Sequence, residues 1–328
     1  MKYRKFGKTG WSVSEISLGT WQVGGGWGKP FDAKLANRII HAAIDRGINF
    51  IDTADVYGGG LSESAVGKAV KESPERIYVA TKCGRQIQPH VSEGYTTDKL
   101  RAFVEASLKN TGLDTIDLIQ LHCPPTPVYG RDEIFGLFEK LKEEGKISAM
   151  GVSVETVDEA LAAMKYEIVS SIQVIFNMFR LKPSETLFAH PDIDRFGIIA
   201  RVPLASGLLT GKLTSDTVFS KEDHRQFNRQ GEAFDKGETF SGVDYQKGLR
   251  AVEELKEIFQ GKEPLAAWAI RWVLMFPLVS TVIPGASKID QVHSNVKASN
   301  LPEISAKEME AVKNIYDKYF KADIHHLW

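Results

Sequence analysis

Eight short aliphatic and β-branched runs recur along this chain, at 16–20, 48–52, 77–82, 116–122, 147–153, 171–176, 197–203 and 279–284, and segments of helical period separate them. Runs such as 48–51 are apolar on both faces, as buried parallel strands are. Between them, apolar residues spaced three and four apart at 33–45, 97–110, 134–143 and 156–164 predict amphipathic helices, and Leu61-Ser62-Glu63 resembles a helix start. Strand and helix alternate at about 30 residues per early unit, which predicts parallel pairing with right-handed crossovers. Eight such units favour a closed (β/α)₈ TIM barrel over an open doubly wound sheet. No Gly-x-Gly-x-x-Gly follows the first strand, and the glycines at 24–28 run into Lys29-Pro30 rather than opening a helix, so they read as a substrate-side loop. A hairpin within residues 1–15, turning at Lys8-Thr9-Gly10, is expected to close the barrel bottom. Extra helices at 245–259 and 263–275 precede the last strand, and another at 305–319 follows it. The connection 206–245 lacks a clear period, and loops of that length are usually functional or mobile. A barrel with insertions reaches 328 residues as one domain, so a single domain spanning 1–328 is expected.

Charge narrows the partners. Forty-one basic and 42 acidic residues leave a formal charge of -1, which supplies no field for nucleic acid or an anionic membrane surface. No apolar run reaches the roughly 18 residues of a membrane span. The basic start at Met1-Lys2-Tyr3-Arg4 lacks the apolar stretch of a secretory signal, so a cytoplasmic location is expected. The two cysteines, Cys83 and Cys123, have no metal-ligand spacing, and regular strand alternation would turn both away from the barrel interior, buried and inert. No metal site is expected, and oligomerisation is not readable.

The C-terminal ends of barrel strands meet at one face. Asp52 ends the second strand, with Tyr57 five residues on; Lys82 ends the third and His122 the fourth. A phenol with a pKa of about 10 is a poor acid near neutrality, and an adjacent ammonium lowers that value. A carboxylate can keep the buried lysine charged, and a histidine can donate to a carbonyl oxygen. Together the four describe a proton donor beside an electrophilic carbonyl.

These residues, with Leu18-Gly19-Thr20-Trp21, the run from Gly47 to Ala54, Ala80-Thr81-Lys82, Gln120-Leu121-His122 and Ile283-Pro284-Gly285-Ala286-Ser287, make a chain that resembles the aldo-keto reductases over nearly its whole length. Thr20-Trp21 and the segment from Val202 to Lys212 are similar to a bacterial branch containing general-stress, inositol-locus and potassium-channel β-subunit-like members. The family's tetrad matches Asp52, Tyr57, Lys82 and His122. The resemblance implies a nicotinamide cofactor, usually NADPH, with NADH possible, lying over the barrel mouth. Thr20, Trp21 and Asp52 would border it. Ser153 and Gln173 would hold its carboxamide, Pro203, Leu204, Ser206, Gly207 and Lys212 would follow the pyrophosphate, and Gly285, Ser287, Lys288, Gln291 and Asn295 would take the adenosine end. The amides opening a helix at Lys288 would make an anion site, and the lysine charge favours a 2′-phosphate.

Two positions depart from the family pattern. Val154 follows Ser153 where many relatives carry Asn or Arg, and Arg201 replaces an aromatic that stacks on nicotinamide. A cation there would favour the neutral reduced ring over the oxidised one, unless the side chain turns to an acidic partner. The implied function is reversible hydride transfer between a nicotinamide and a small aldehyde or ketone. Trp21, Trp27, Tyr57 and His122 would wall the pocket, and Arg85, His90 and Tyr129 lie in the loops beyond. Arg85 and His90 would tolerate an anionic group. The tail Ile324-His325-His326-Leu327-Trp328 could cover the mouth. The rival reading is a cofactor-sensing interaction subunit with slow chemistry. A barrel hydrolase or isomerase using Asp52 and His122 would leave Tyr57 and Lys82 unexplained.

Overall fold

The computed structural model describes the chain except Trp27, Lys29, Lys262 and Glu263. The pocket role expected of Trp27, the end of the glycine-rich loop at Lys29, and the start of the helix expected from residue 263 therefore lie outside the described residues. An antiparallel hairpin, β1 (Tyr3–Lys5) and β2 (Ser12–Ser14), comes first. Eight parallel strands follow: β3 (Leu18–Gly19), β4 (Phe50–Asp52), β5 (Tyr78–Cys83), β6 (Ile116–His122), β7 (Ile147–Ser153), β8 (Val169–Ile175), β9 (Gly197–Arg201) and β10 (Val279–Val282). Each pairs with its sequence neighbour, and bridges at Ile16/Val282 and Gly19/Gly285 bring β10 back to β3. The Ser17 amide donates to Val282 O at 2.8 Å and the Val282 amide to Glu15 O at 3.0 Å, so the seam is hydrogen-bonded. The chain is a closed (β/α)₈ barrel, as the alternation predicts. β3 is shorter than its apolar run, of which Ile16 and Ser17 pair with β10 and Thr20 donates through its amide and hydroxyl to Asp52 O.

Alternation along the strands divides the barrel interior into layers. Phe50, Ala80, Leu118, Ala149, Ile199 and Ile283 form an apolar floor, and Phe6 of the hairpin packs into it. This packing needs Gly197, because a Cβ there would lie 2.6 Å from the Phe6 ring. Two residues further along four of these strands stand Asp52, Lys82, Gln120 and Arg201, all buried. The opposite strand faces pack against the helices in two larger cores. Local signals set several helix starts. Asp32 caps Ala33–Ile44, Thr96 caps Thr97–Thr111, and Thr156 with Glu159 forms a capping box on Val157–Ala163.

The long connection after β9 folds as short helical turns, including His224–Phe227, before the helix Tyr245–Ile258. Asn177 ties it to the barrel, donating through Nδ2 to Val202 O at 2.9 Å and to Ser241 Oγ at 2.7 Å. Trp328 pins it from the other side. Its indole donates to Asp235 Oδ1 at 2.9 Å, its ring lies 4.0 Å from the Arg180 guanidinium, and a Cβ on Gly242, at φ 78°, would lie 2.2 Å from it. The tail thus packs on the connection, not directly on Tyr57 or His122. Among the described residues, no helix is long and apolar enough to cross a membrane.

Candidate active site

Adjacent parallel strands β4 and β5 put Asp52 beside Lys82. The ammonium donates to Asp52 Oδ1 at 2.5 Å and to Thr53 O at 2.8 Å, and reaches Tyr57 Oη at 3.5 Å. Asp52 Oδ2 accepts from Gln173 Nε2 at 2.8 Å and Gln120 Nε2 at 3.2 Å. Gln120 was not among the expected site residues, although it precedes His122 by two positions and alternation aims it into the barrel. Lys82 is only 1% exposed. Burial opposes its charge, but Asp52 and Tyr57 outweigh burial, so its pKa is raised and it stays an ammonium.

At Tyr57 the lysine acts in the expected direction, but burial acts against it. The Tyr57 pKa is raised above the usual phenol value because burial outweighs Lys82, whose charge only partly offsets it. The phenol is therefore protonated. His122 is pushed well below the ordinary imidazole value by burial and then by Lys82, Arg85 and Arg201, so it is neutral. Its Nδ1 is buried without a hydrogen-bond partner among the described residues. Tyr57 packs edge-on between Trp21 and His122, with centroids 5.0 Å and 6.1 Å away.

The expected cofactor residues fall into distinct settings. Gln173 spends Nε2 on Asp52 and Gln120 and leaves Oε1 facing no protein donor among the described residues. Ser153 lies beside it at the end of β7. The turn after β9 carries positive φ at Val202, Ala205, Ser206 and Gly207, strain of a kind that clusters at functional sites. Pro203 there is buried, Leu204 half-buried, and Lys212 exposed. Ser206 Oγ donates to Glu238 O and accepts from the Phe240 amide. The Thr20 hydroxyl is buried, donating to Asp52 O and accepting from Ser62 Oγ, so its proton is already used. At the far end, the Ser287 and Lys288 amides, expected to be free for an anion, donate to Gln291 Oε1 at 2.7 and 3.1 Å, and Asn295 holds Gly285 O. An anion there must displace a side chain that caps the helix.

Beyond the tetrad, Arg201 at the end of β9 bonds Glu155 at 2.8 Å and Val154 O at 3.0 Å, and lies 3.8 Å from Glu238. The guanidinium has turned to acidic partners, so the charge effect anticipated on the nicotinamide is balanced inside the protein. Arg85 lies 3.3 Å from Glu238 and 4.0 Å from Glu155. His90 bonds Tyr95 Oη at 2.8 Å, and Tyr129 is buried under Ser153 O, so it does not wall an open pocket. Cys83 packs outward into the core, whereas Cys123 does not follow strand alternation. Its φ of 47° breaks the strand and aims Sγ to 3.6 Å from Arg201. Burial raises both thiol pKa values. Cys123, Glu155 and Glu238 hold ligand atoms within 4.8 Å of one another, but two guanidiniums share those carboxylates, a setting hostile to a cation.

The barrel mouth thus gathers a phenol, an ammonium, a carboxylate and an imidazole over an apolar floor. Residues 15–317 match the Aldo/keto reductase family, and the chain belongs to it. It is 31% identical over 303 residues to aldo-keto reductase YhdN of Bacillus subtilis, covering 90% of this chain and 87% of that one. It is 30% identical over 325 residues to the NADH-specific methylglyoxal reductase of Escherichia coli, covering 92% and 94%. The solved glycerol dehydrogenase AKR11B4 of Gluconobacter oxydans superposes with a TM-score of 0.78 at 33% identity over 97% and 96% of the two chains.

Proposed function

We propose that this protein is an NADPH-dependent reductase of small aldehydes and ketones, working reversibly, with Tyr57 as the proton donor. The observation that carries the reading is the Tyr57 hydroxyl, protonated by burial, 3.5 Å from the ammonium of Lys82 and packed against a neutral His122. The residues fit a nicotinamide: the free Oε1 of Gln173 suits a carboxamide N–H, and Ser153 stands beside it. A bound reduced nicotinamide would supply the hydride that the carbonyl carbon accepts. The chain's own groups handle the oxygen. His122 orients it, Tyr57 passes its proton to the developing alkoxide, and Lys82, held by Asp52, stabilises the phenolate left behind. Lys288 favours the 2′-phosphate of NADPH, and Lys288→Ala should shift preference toward NADH.

The test is reduced-cofactor consumption against a panel of aldehydes and ketones. Tyr57→Phe should lose about 10²- to 10⁴-fold in rate while binding NADPH as the parent does. Equal loss of rate and binding, or turnover that survives the change, would remove Tyr57 from the role.

A further inference from the structure

We propose that Arg85 and Arg201 form a carboxylate-binding position at the barrel mouth, filled in the free protein by the side chain of Glu238, and that the carbonyl compounds reduced here carry a carboxylate. The proposal rests on the reductase reading and names its substrate class.

The four charged groups are not equivalent. Arg201 and Glu155 come from the rim itself, at the ends of β9 and β7, and make a short pair of 2.8 Å. Arg180 Nη2 holds the Glu155 carbonyl at 2.7 Å, which fixes that rim segment. Arg85 has no such short partner among the described residues. Its carboxylate neighbours are Glu155 at 4.0 Å and Glu238 at 3.3 Å, and its guanidinium leans on Phe234 at 5.7 Å. Two of these three contacts come from the connection after β9. Glu238 in turn stands 3.3 Å and 3.8 Å from the two guanidiniums, longer than the 2.7–2.9 Å of a charge-assisted hydrogen bond. A planar carboxylate free to choose its own position could engage the Arg85 fork more closely than one tethered to the connection.

Exposure points the same way. The side chains of Arg85 and Glu238 are 19% and 23% exposed, against 10% for Arg201, so this pair is the water-facing edge of the cluster. The Glu238 backbone is anchored through its carbonyl to Ser206 Oγ at 3.1 Å, so exchange would move the side chain away from Arg85, Arg201 and the Glu155 carboxyl while the backbone stays in place. The position also adjoins the reacting groups along the chain: Arg201 Nη2 lies 3.6 Å from Sγ of Cys123, the residue after His122, and Arg85 follows Lys82 by three positions, just beyond the end of β5. A small molecule whose carbonyl meets Tyr57 can therefore place a carboxylate on Arg85.

The experiment compares matched acids and amides in steady-state reduction with NADPH: 4-carboxybenzaldehyde against 4-carbamoylbenzaldehyde, and succinic semialdehyde against its amide. The acids should be preferred by about tenfold or more in kcat/KM, mostly through KM, as expected for hydrogen bonds to a charged group. In Arg85→Met the acid-to-amide ratio should fall to about one, whatever the absolute rates. In Glu238→Gln, which removes the internal competitor, the ratio should rise. A ratio near one in the parent, or one unmoved by Arg85→Met, overturns the carboxylate position while turnover of the amides keeps the reductase reading intact. If nothing turns over, the reductase reading fails by itself, and calorimetric titration with succinate decides the position: binding lost in Arg85→Met supports it, and no binding to the parent overturns it.

Discussion

Asp52 and Lys82 meet across two adjacent strands, whereas Arg85, Arg201, Glu155 and Glu238 meet from three strand ends and a connection that returns from far along the chain. The first pair needs only the register of β4 with β5 and the pleat that turns both residues inward. The second cluster needs the connection to be folded, with Asn177 and Trp328 holding it in place. Both hold buried charge with partners, which costs much less than leaving a charge alone. The difference lies in tolerance to motion. A strand-built pair is as rigid as the barrel, and a connection-built one can exchange a partner without unfolding it.

Lys82→Met should break the strand-built pair most severely. It should cost about 10²- to 10⁴-fold in carbonyl reduction and ~3–5 kcal/mol of stability, since Asp52 would remain buried without its cation; turnover rates and denaturant midpoints would check both. A partial loss of rate with full stability would show that the pair is less tightly coupled than its geometry states.

Asp55 sharpens the contrast because it is a buried carboxyl that forms no ion pair among the described residues. Burial, then Glu63, raises its pKa from 3.8 to about 7. Relative to the unfolded chain, the stability that protonated Asp55 contributes is complete below about pH 4 and is lost as pH rises through 7. Asp55→Asn should therefore leave stability unchanged near pH 4 and gain with rising pH, on the order of 4 kcal/mol above pH 7. Melting curves across that range would reveal a pH-independent offset if the carboxyl is ionised throughout.

Trp328→Ala should loosen the connection by about 3 kcal/mol, the low end for removing a large buried aromatic. Limited proteolysis should then cut first within 206–245, and the acid preference should weaken before amide turnover does. Simultaneous loss of both would mean that the connection supports the tetrad as well. At the small end, Arg101→Ala removes a bidentate but surface-exposed pair with Glu144 and should leave the melting curve unchanged.

Much of this was legible in advance because its causes are local or periodic. The apolar period marks the strands, the caps mark the helices, and the barrel rule carries Asp52, Lys82 and His122 to one face. Gln120 was legible too, by alternation from His122, but needed the partner strand to give it a role. Glu238 and Asp55 were not. Nothing in a polar, aperiodic connection says which of its acids will reach the mouth, and the residue types at 52–57 do not say which carboxyl is paired and which is left alone. Tyr57 shows a related limit. The sign of its pKa shift depends on whether burial or Lys82 dominates, and burial is a property of the packed site.

The amino-acid sequence by itself determined the eight-fold alternation, the closed barrel and the family tetrad, because hydrophobic period and strand ends are written residue by residue. Only the tertiary structure decided which charges neighbour one another beyond the tetrad, that Arg201 turns to Glu155, that Gln291 covers the amides of Ser287 and Lys288, and that Trp328 locks the connection carrying Glu238. Apart from the local Gln291 cap, those contacts join residues at least tens of positions apart. Their free energies depend on distance and burial, and neither exists until the barrel has closed.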